Sequence, residues 1–597
     1  MLKIKQCGIL FLFVFILPAY AQNSDAFDLE RITITKAKVH LLTPYSLAAD
    51  DLDNLPYPCA VESLGSMPLD LQSRSPKDAI QTDFSLRGST FQGVLVLLNG
   101  QRINDPQTAH HNSDIPLTKE DIEEIQVIPG AGSSLFGPDA IGGAVNFLVK
   151  KPQTRKLVLE TGFGPDKNKS QLFSYSDKIN NFGMRVSVEN KESGGFYYDT
   201  DYRKFTTSLA SNLDLPCGDF GLNFGYQDKE FGAYDFYTPA KGYPSREWTT
   251  TYLIDTGFNI NKEGLKIKPN FLWRRHFDKF MLDETNVKSR SLNHHRSDIF
   301  TPNIYFQKDL EKLGTLGLGV EYGEENIASS NLGKHNRKHK SVFIDDSKDL
   351  TDNLSLGLSF RFDKFDTFGN TDTGSGTLRY SLCAGNSVYA GVSFSRRIPS
   401  FTELYYNDST TIGDDKLSAE KAVNYQIGFD HKDDVLSYGA SVFFREEENV
   451  IDWVKRTTSQ VKWQVENITE AAVTGIEKYF KVKINDFINL TSNYTFINKR
   501  INDQGYLYKY GPNYIRHMVN SVFTFKLPFG AQAITLSYKK KPVRDGWFLL
   551  GVNLTYDLNK NSNLFFRATN IFNQEYQEIE GIPQPGRVFE AGIRLAW

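Results

Sequence analysis

Residues 354–363 read Leu-Ser-Leu-Gly-Leu-Ser-Phe-Arg-Phe-Asp, an alternation of large apolar residues with small or charged ones. Successive side chains of a β-strand point to opposite faces of the sheet, so this segment predicts a strand with one apolar face and one polar face. A tilted strand needs about ten residues to cross the hydrocarbon core of a bilayer, and this segment has that length. The pattern is typical of a membrane barrel and also of a soluble β-sandwich.

The same alternation recurs from about residue 153 onward. Residues 316–322 and 436–445 repeat it, and in the last segment Phe589 and Ile593 lie on one face while Glu590 lies on the other. We expect the strand that ends at the terminal aromatic residue to close a barrel. The 445 residues from 153 to 597, at roughly 20 residues per strand and connection, predict about 22 antiparallel strands.

The first residues resemble an export signal. Lys3 and Lys5 precede a short apolar run over residues 9–17, and Ala19-Tyr20-Ala21 fits the small-residue cleavage rule, so residues 1–21 are predicted to be a signal peptide. The alternative is a membrane anchor, but the run is shorter than the ~20 apolar residues of a spanning helix. An exported chain of this kind enters a membrane only as a closed barrel, because lipid leaves unpaired backbone groups unsatisfied.

Composition narrows the functional classes. The net charge of −3, from 68 basic and 71 acidic residues, gives no reason to expect a nucleic-acid partner. The aromatic content of 13% fits the aromatic girdles of a membrane barrel, although a large soluble β-protein would share it. Cys59, Cys217 and Cys383 are scattered, which predicts isolated thiols with at most one bridge. No nucleophile elbow or H-E-x-x-H motif is present, so no enzyme is predicted.

Residues 41–152 follow a different pattern and predict a small mixed α/β domain. Residues 93–98 and 122–128 are short, nearly continuous apolar or irregular segments, and turn signals such as Asn99-Gly100 separate them. Glycines are closely spaced over residues 130–143, as expected where a chain folds tightly inside a lumen. The alternative of a phosphate-binding loop fails because the third glycine and the Gly-Lys-Ser/Thr ending are missing.

Three stretches of this domain carry a family resemblance. They are Phe84-Ser85-Leu86-Arg87-Gly88, residues 94–100 (Val-Leu-Val-Leu-Leu-Asn-Gly) and residues 125–146, whose order and spacing resemble the plug of TonB-dependent outer-membrane receptors. Residues 397–405 and 568–576 resemble barrel motifs of the same family, so the likeness covers essentially the whole mature chain. It implies an all-β transmembrane barrel (residues 153–597) that holds the plug (residues 41–152) in its lumen.

The resemblance also implies partners and a location. The receptor would lie in the lipid of the outer membrane of a Gram-negative-type bacterium, as a monomer that binds a small-molecule ligand and no nucleic acid. Its partner would be TonB with the proton-driven ExbB/ExbD complex. Within residues 22–40, the TonB box is predicted at Glu30, Arg31, Ile32, Thr33, Ile34, Thr35, Lys36 and Ala37. Such a segment suits addition to a partner's sheet edge, and an ordinary first plug strand is the alternative.

Chain length and barrel motifs look most like the cobalamin (vitamin B12) receptor subgroup, which implies import of cobalamin or a related corrinoid. The alternatives are a receptor for ferric siderophores or other metal chelates, and, from another class, a passive porin or an adhesin with a soluble N-terminal domain. No cofactor is required. The plug loops expected to face outside supply the candidate substrate-binding residues Ser89, Thr90, Phe91, Gln92, Asn104, Gln107, His110 and His111.

The same resemblance suggests calcium in the extracellular loops. Asp199, Asp201 and Asp235 resemble the subgroup's loop carboxylates, and oxygen ligands suit calcium. The loop is shorter and less acidic than the subgroup pattern, so solvated loop acids are an equally good interpretation. Separately, His335 and His339 lie among Lys334, Arg337, Lys338 and Lys340, which predicts a basic extracellular loop near anionic lipid headgroups.

Overall fold

The computed structural model describes residues 45–597 apart from 76, 131–132, 238–240, 287–291, 384, 503–504 and 512, and the side chains of residues 133, 312 and 469. The predicted signal peptide and TonB box therefore lie outside the described residues. No described helix is long and apolar enough to cross a lipid bilayer. Cys59, Cys217 and Cys383 are free thiols, which confirms the prediction from their scatter.

The N-terminal domain is built on a five-stranded mixed sheet. The spatial order is β1-β6-β7-β4-β5, with β4 and β7 parallel, and β2 and β3 form a separate hairpin. Buried aliphatic side chains such as Val96, Ile125 and Val145 form its core. The elements are β1 (Tyr45–Ala48), α1 (Ala49–Asn54), α2 (Ala60–Ser63), β2 (Asp70–Ser75), β3 (Gln81–Ser85), β4 (Val94–Leu98), β5 (Gln101–Arg102), β6 (Ile122–Pro129), α3 (Ser133–Phe136) and β7 (Gly143–Val149), with 3-10 turns at Leu64–Ser66, Lys77–Ala79, Phe91–Gly93, Ala109–His111 and Lys119–Asp121.

The remaining strands close into an antiparallel barrel. Among the described residues, 22 strands of at least eight residues form the ring, and two short strands, β21 and β26, pair with it. The ring closes where β31 pairs with β8, with Ala596 opposite Val158. One short helix, α4 (Phe401–Tyr405), and a 3-10 turn at Glu311–Leu313 lie in the connections. The strands are β8 (Lys156–Gly164), β9 (Asn168–Ile179), β10 (Phe182–Ser193), β11 (Tyr202–Leu215), β12 (Gly218–Gly232), β13 (Arg246–Lys262), β14 (Leu265–Met281), β15 (Leu292–Asp309), β16 (Thr315–Ser329), β17 (Gly333–Thr351), β18 (Leu354–Phe365), β19 (Gly369–Cys383), β20 (Asn386–Arg397), β21 (Thr411–Ile412), β22 (Glu420–Lys432), β23 (Leu436–Lys455), β24 (Trp463–Asn485), β25 (Ile488–Ile501), β26 (Leu507–Tyr508), β27 (His517–Leu527), β28 (Gly530–Lys540), β29 (Trp547–Asn559), β30 (Ser562–Thr569) and β31 (Val588–Ala596).

The exposure of β18 decides between a barrel and a sandwich. Leu358, Phe360 and Phe362 are 49%, 45% and 40% exposed, whereas Arg361 and Asp363 are fully buried. A sandwich would bury the apolar face against a second sheet. Here the apolar face points outward and the charged face points into the lumen, which is the arrangement of a barrel in lipid.

The two ends of the barrel differ in their connections. At one end the strands are joined by short turns, such as 180–181 and 560–561. At the other end lie the long segments 398–419, 502–516 and 570–587. Short turns face the periplasm and long loops face the outside in barrels of this type. The long-loop end is therefore the extracellular end.

The predicted basic loop around His335 is wrong. Residues 334–340 belong to β17, which continues at the extracellular end with alternate residues inside and outside. The His335 ring stacks on Tyr405, with ring centroids 3.5 Å apart. His339 faces inward, with its Nε2 atom 3.3 Å from the Glu321 carboxylate. Strands of this barrel carry charges on both faces near that end, so charge alone does not mark a loop.

Candidate functional site

The plug meets the barrel wall through a buried two-point ion pair. The turn after β3 places Arg87 in the left-handed backbone region, with φ of 51°. Its Nε and Nη2 atoms donate to the two carboxylate oxygens of Glu477 at 3.0 and 2.7 Å. The Arg87 carbonyl in turn accepts a hydrogen bond from Arg445 of β23 at 3.0 Å. The guanidinium group also lies over the Phe443 ring, 4.3 Å from its centroid.

Further buried ion pairs surround the plug on other sides. Asp105 accepts from Arg274 of β14 at 2.6 Å, and the Asp114 carboxylate lies 2.5 Å from the Lys229 ammonium of β12. Arg102 of the plug pairs with Glu325 of β16 at 2.8 Å. Buried ion pairs stabilise such an interface at specific positions, because removal of one partner leaves the other charge buried and uncompensated. The plug is thus fixed at discrete points around the lumen wall.

An extracellular segment closes over the predicted substrate loops. The backbone N–H groups of Phe401 and Thr402 donate to the carbonyls of Pro106 and Gln107 at 2.9 and 3.1 Å. Phe91 stacks on His110 with ring centroids 4.3 Å apart, and Tyr510 meets Phe91 edge-on at 5.2 Å. The structure therefore brings the two predicted loops together beneath Phe401, Thr402 and Tyr510, where they are largely buried.

The predicted substrate-binding residues divide by what they contact. Asn104 stabilises the plug sheet, because its side-chain amide accepts a hydrogen bond from the Val96 N–H and donates one to the Val94 carbonyl. Ser89 accepts the Ser85 hydroxyl through its carbonyl and is buried. The half-buried residues are Thr90 and Gln92. The role of all eight predicted residues in substrate binding stays a prediction.

Neighbouring histidines of the second loop have separate partners. His110 lies 2.8 Å from Asp83, and burial lowers the pKa of His110 to about 4 although Asp83 opposes the shift. His111 faces the barrel, with Nε2 3.4 Å from Asp278. Burial alone would lower the pKa of His111, but the hydrogen bond and charge of Asp278 raise it to about 9. The two rings therefore contact different carboxylates, one on the plug and one on the barrel wall.

The three predicted calcium ligands lie in the extracellular loops between β10 and β13. Asp201 accepts two hydrogen bonds from Arg246, both 3.0 Å long. Asp235 accepts from the Gly242 N–H at 2.7 Å. Burial, with the charge of Glu284, raises the pKa of Asp199 to about 7. Their carboxylates do not form one of the ligand clusters found among the described residues, and calcium binding stays a prediction.

A cavity of about 160 Å³ lies between the plug and the extracellular half of β28–β31. Apolar and aromatic groups, including Tyr57, Leu549 and Tyr576, form part of its wall. The polar lining is mixed in character. Its charged members are Glu62, Lys77, Asp78, Lys539, Arg567, Glu578 and Glu590. A cavity with apolar walls and a few convergent polar groups is the usual form of a small-molecule site.

Comparison with protein families identifies both halves of this architecture. A family model described as "TonB-dependent Receptor Plug Domain" matches residues 43–144, and one described as "TonB dependent receptor-like, beta-barrel" matches residues 162–571. The chain belongs to the TonB-dependent receptor family. It is therefore an outer-membrane protein with a plug inside a 22-stranded barrel, as the sequence motifs predict.

Curated relatives of this receptor include vitamin B12 transporters and an iron-regulated outer-membrane protein. The vitamin B12 transporter BtuB of Vibrio vulnificus (strain CMCP6) is 25% identical over 66% of this chain and 64% of its own length, so the match spans just under two thirds of that relative. The iron-regulated outer membrane virulence protein of Vibrio cholerae (serotype O1, strain O395) is 23% identical over 97% of both chains. The B12 transporters support the resemblance to the cobalamin subgroup.

Solved structures agree on the fold. The siderophore receptor PirA of Pseudomonas aeruginosa matches with a TM-score of 0.73 and 15% identity over 93% of this chain and 99% of its own. The FrpB iron transporter of Neisseria meningitidis matches with a TM-score of 0.76 and 14% identity over 92% of this chain and 98% of its own. At such identities the likeness extends to the architecture alone.

Sequence motifs do not show which residues pair across the receptor's plug–barrel contacts. Arg87 lies in a recognised plug stretch, but its partner Glu477 is 390 positions away. Asp278, the partner of His111, has a weaker signal. It follows Arg274 and His276 at alternate positions of β14, and charged residues at a spacing of two indicate a lumen-facing strand. The plug residue that lies opposite Asp278 is determined by the fold and not by the local sequence.

Proposed function

We propose that this receptor imports cobalamin or a related corrinoid across the outer membrane with energy delivered through TonB. The observation that carries the proposal is the charge of the cavity beside the plug. Its lining has three basic side chains (Lys77, Lys539, Arg567) and four acidic ones (Glu62, Asp78, Glu578, Glu590). This balance suits a ligand with little net charge and many amide groups, as corrinoids have.

The polar lining supports the same substrate class. Asn168, Asn570 and Thr535 offer hydrogen-bond donors and acceptors to carboxamide groups, while Tyr57 and Tyr576 offer apolar area. A corrinoid is much larger than the cavity, so we expect one edge of the ligand to enter it. The rest would lie above the plug, after segments 398–419 and 502–516 move aside. Similarity to the B12 transporters of Vibrio vulnificus and Photobacterium profundum supports this assignment.

A ferric-siderophore receptor is the second candidate. It is favoured by the iron-regulated relative of Vibrio cholerae. Many ferric siderophores carry several negative charges, and a polyanion gains little from a lining in which carboxylates balance the basic groups. The two candidates therefore differ in a measurable property, the charge of the ligand that binds.

Direct binding tests the substrate. The purified receptor in detergent is titrated with cyanocobalamin and with a panel of ferric chelates of different charge, each with and without calcium. We expect saturable cobalamin binding, and strengthening by calcium would support the three predicted loop ligands. No saturable cobalamin binding alongside binding of a ferric chelate would overturn the substrate and favour the second candidate.

A matched pair of substitutions tests the cavity itself. Leu549→Trp on β29 fills the cavity, whereas Leu554→Trp on the same strand adds the same bulk on the lipid face, where Leu554 is 38% exposed. We expect Leu549→Trp to weaken cobalamin binding at least tenfold, which corresponds to about 1.4 kcal/mol. Leu554→Trp should bind like the wild type. Equal affinities for all three proteins would exclude the cavity as the ligand site.

Energy coupling requires work from outside the receptor, because a plug that binds ligand tightly cannot release it uphill by itself. We propose that TonB, driven by ExbB/ExbD, supplies that work by pulling residues 30–37, and that the receptor acts as a monomer in outer-membrane lipid. Ile32→Pro removes one backbone donor from the predicted strand pairing, and Ile32→Val keeps it. Proline should abolish uptake and leave ligand binding intact, whereas valine should preserve both. Uptake that survives deletion of residues 30–37 would indicate a passive porin.

A further inference from the structure

Two buried carboxylates, those of Glu247 and Asp278, lie close together where the second plug loop contacts the barrel wall. Glu247 is the second residue of β13, and Asp278 lies near the extracellular end of β14, where it pairs opposite Thr249. Glu247 is fully buried and Asp278 is 5% exposed. His111 of the plug is 2% exposed and approaches from the other side, with Nε2 3.4 Å from Asp278 Oδ2. One candidate ligand atom from each of the three residues lies within 4.8 Å of the others.

The lysine and arginine side chains around this cluster are already paired elsewhere, and His295 of β15 lies opposite Asp278. Lys229 lies 2.5 Å from Asp114, Arg274 lies 2.6 Å from Asp105, and Arg74 lies 2.7 Å from Asp83. Among the described residues, Glu247 has no ion-pair partner, and its carboxylate accepts only the Tyr237 hydroxyl, at 3.1 and 3.3 Å. In the described part of the chain, Glu247 and Asp278 thus have only imidazoles, those of His111 and His295, as basic neighbours that are not already paired. Burial of charge without compensation is costly, so the site calls for a cation.

Two buried acceptor oxygens at this cluster lack a hydrogen-bond partner. Asp278 Oδ1 is buried without a hydrogen bond, and so is the side-chain oxygen of Gln107. The Gln107 amide nitrogen donates to Asp278 Oδ2 at 2.9 Å and so orients that carboxylate. The second ring nitrogen of His111 faces Asp114 across 3.9 Å. A ligating histidine is commonly oriented by a carboxylate at its other nitrogen, and ligating carboxylates are commonly hydrogen-bonded in turn.

We propose that His111, Glu247 and Asp278 bind a divalent first-row transition-metal ion that joins the plug to the barrel wall. An imidazole with two carboxylates suits zinc and its neighbours, since imidazole favours these metals over calcium and magnesium. The ion would take the place of the proton that Asp278 favours on His111, neutralise the two carboxylates and hold the plug loop that carries His111 against β13 and β14. The inference is independent of which nutrient the receptor imports.

A second triad of His111, Asp114 and His276 also lies within ligating reach. Asp114 is a poorer ligand there, because the Lys229 ammonium already neutralises it at 2.5 Å and His276 hydrogen-bonds to it at 3.0 Å. The two triads share His111 but differ in every other member. Substitution of His276 and of Asp278 therefore separates them.

Zinc is the probe for the test. The full receptor, purified in detergent without a histidine tag and stripped with a chelator, is passed through gel filtration after equilibration with Zn²⁺, and the bound metal is counted. We expect one Zn²⁺ per chain in the wild type and in His276→Gln. Loss of that ion is expected in His111→Ala and in Asp278→Asn. Heat-modifiable electrophoretic mobility checks that every variant still contains a folded barrel.

A remote histidine–carboxylate pair supplies the control. His431 lies 3.0 Å from Asp433 at a periplasmic turn and belongs to none of the three-ligand clusters among the described residues, so His431→Ala should keep the full zinc stoichiometry. Co²⁺ in place of Zn²⁺ should give visible d–d bands in the wild type that are absent from His111→Ala. Absence of bound zinc in the wild type, or equal zinc in wild type, His111→Ala and Asp278→Asn, would overturn the proposal. Loss in His276→Gln with retention in Asp278→Asn would overturn it in favour of the second triad.

Discussion

Arg87 of the plug and Glu477 of β24 are joined by two hydrogen bonds of 3.0 and 2.7 Å, and both side chains are almost completely buried. Removal of one partner leaves a buried charge without compensation, which costs about 3–5 kcal/mol. Glu477→Ala should therefore lower the free energy of plug unfolding by that amount. Urea denaturation of the purified receptor, followed by a fluorophore on the plug, measures it.

The control for this prediction is an exposed pair. Arg203 lies 2.8 Å from Glu230, and the Arg203 side chain is 71% exposed. Exposed pairs contribute about 0–1 kcal/mol, so Arg203→Ala should leave plug unfolding unchanged. Replacement of both Arg87 and Glu477 by methionine should restore much of the loss, because no charge is then left unpaired. A plug equally stable in wild type and Glu477→Ala would contradict the interpretation of this pair as an anchor.

Substitution of Gly142 in the plug is expected to cause a steric clash. A β-carbon at Gly142 would lie 2.3 Å from the Leu86 carbonyl oxygen, a backbone atom that cannot move alone. Gly142→Ala should therefore destabilise the plug by about 1–3 kcal/mol or more. Gly221→Ala on β12 is the matched change, since nothing lies within 4 Å of the added carbon. The same urea experiment compares them, and equal stabilities would refute the close approach at Gly142.

The barrel and the plug could be predicted because their signals are local. Alternation along β18 and β23 identifies two-faced strands, and the plug turns carry their own glycines. The pairings at the interface could not be predicted in the same way. Alternation indicates that Asp278 faces the lumen, but only the closed barrel determines that His111 stands opposite. The strand at residues 334–340 was missed because sequence gives no measure of how far strands extend beyond the membrane.

Thiol chemistry tests both burial and orientation. Burial, with the charge of Glu62, raises the pKa of Cys59 to about 12, so this thiol stays protonated and unreactive at neutral pH. Cys217 and Cys383 are exposed at the short-turn end. A bulky maleimide should label both in spheroplasts and neither in intact cells. Labelling of Cys217 from outside intact cells would reverse the assigned orientation, and rapid labelling of Cys59 in the native receptor would contradict its burial.

Glu62 predicts a pH dependence of plug stability. Burial, and next the charge of Asp78, raises its pKa from 4.5 to about 8, and its Oε2 atom lacks a hydrogen-bond partner. The folded plug therefore keeps this carboxyl protonated at pH values where the unfolded chain ionises it. Each pH unit between 4.5 and 8 then favours the unfolded state by up to about 1.4 kcal/mol.

Glu62→Gln keeps the group neutral at every pH and removes this contribution. Relative to wild type, the variant should gain stability progressively from pH 4.5 to pH 8, by a few kcal/mol in all, and little at or below pH 4.5. The exposed Glu123→Gln is the control and should follow the wild-type curve. Urea unfolding at pH 5 and pH 8 provides the comparison. Parallel pH curves for wild type and Glu62→Gln would mean that Glu62 ionises in the folded plug, with water or a basic group compensating its charge.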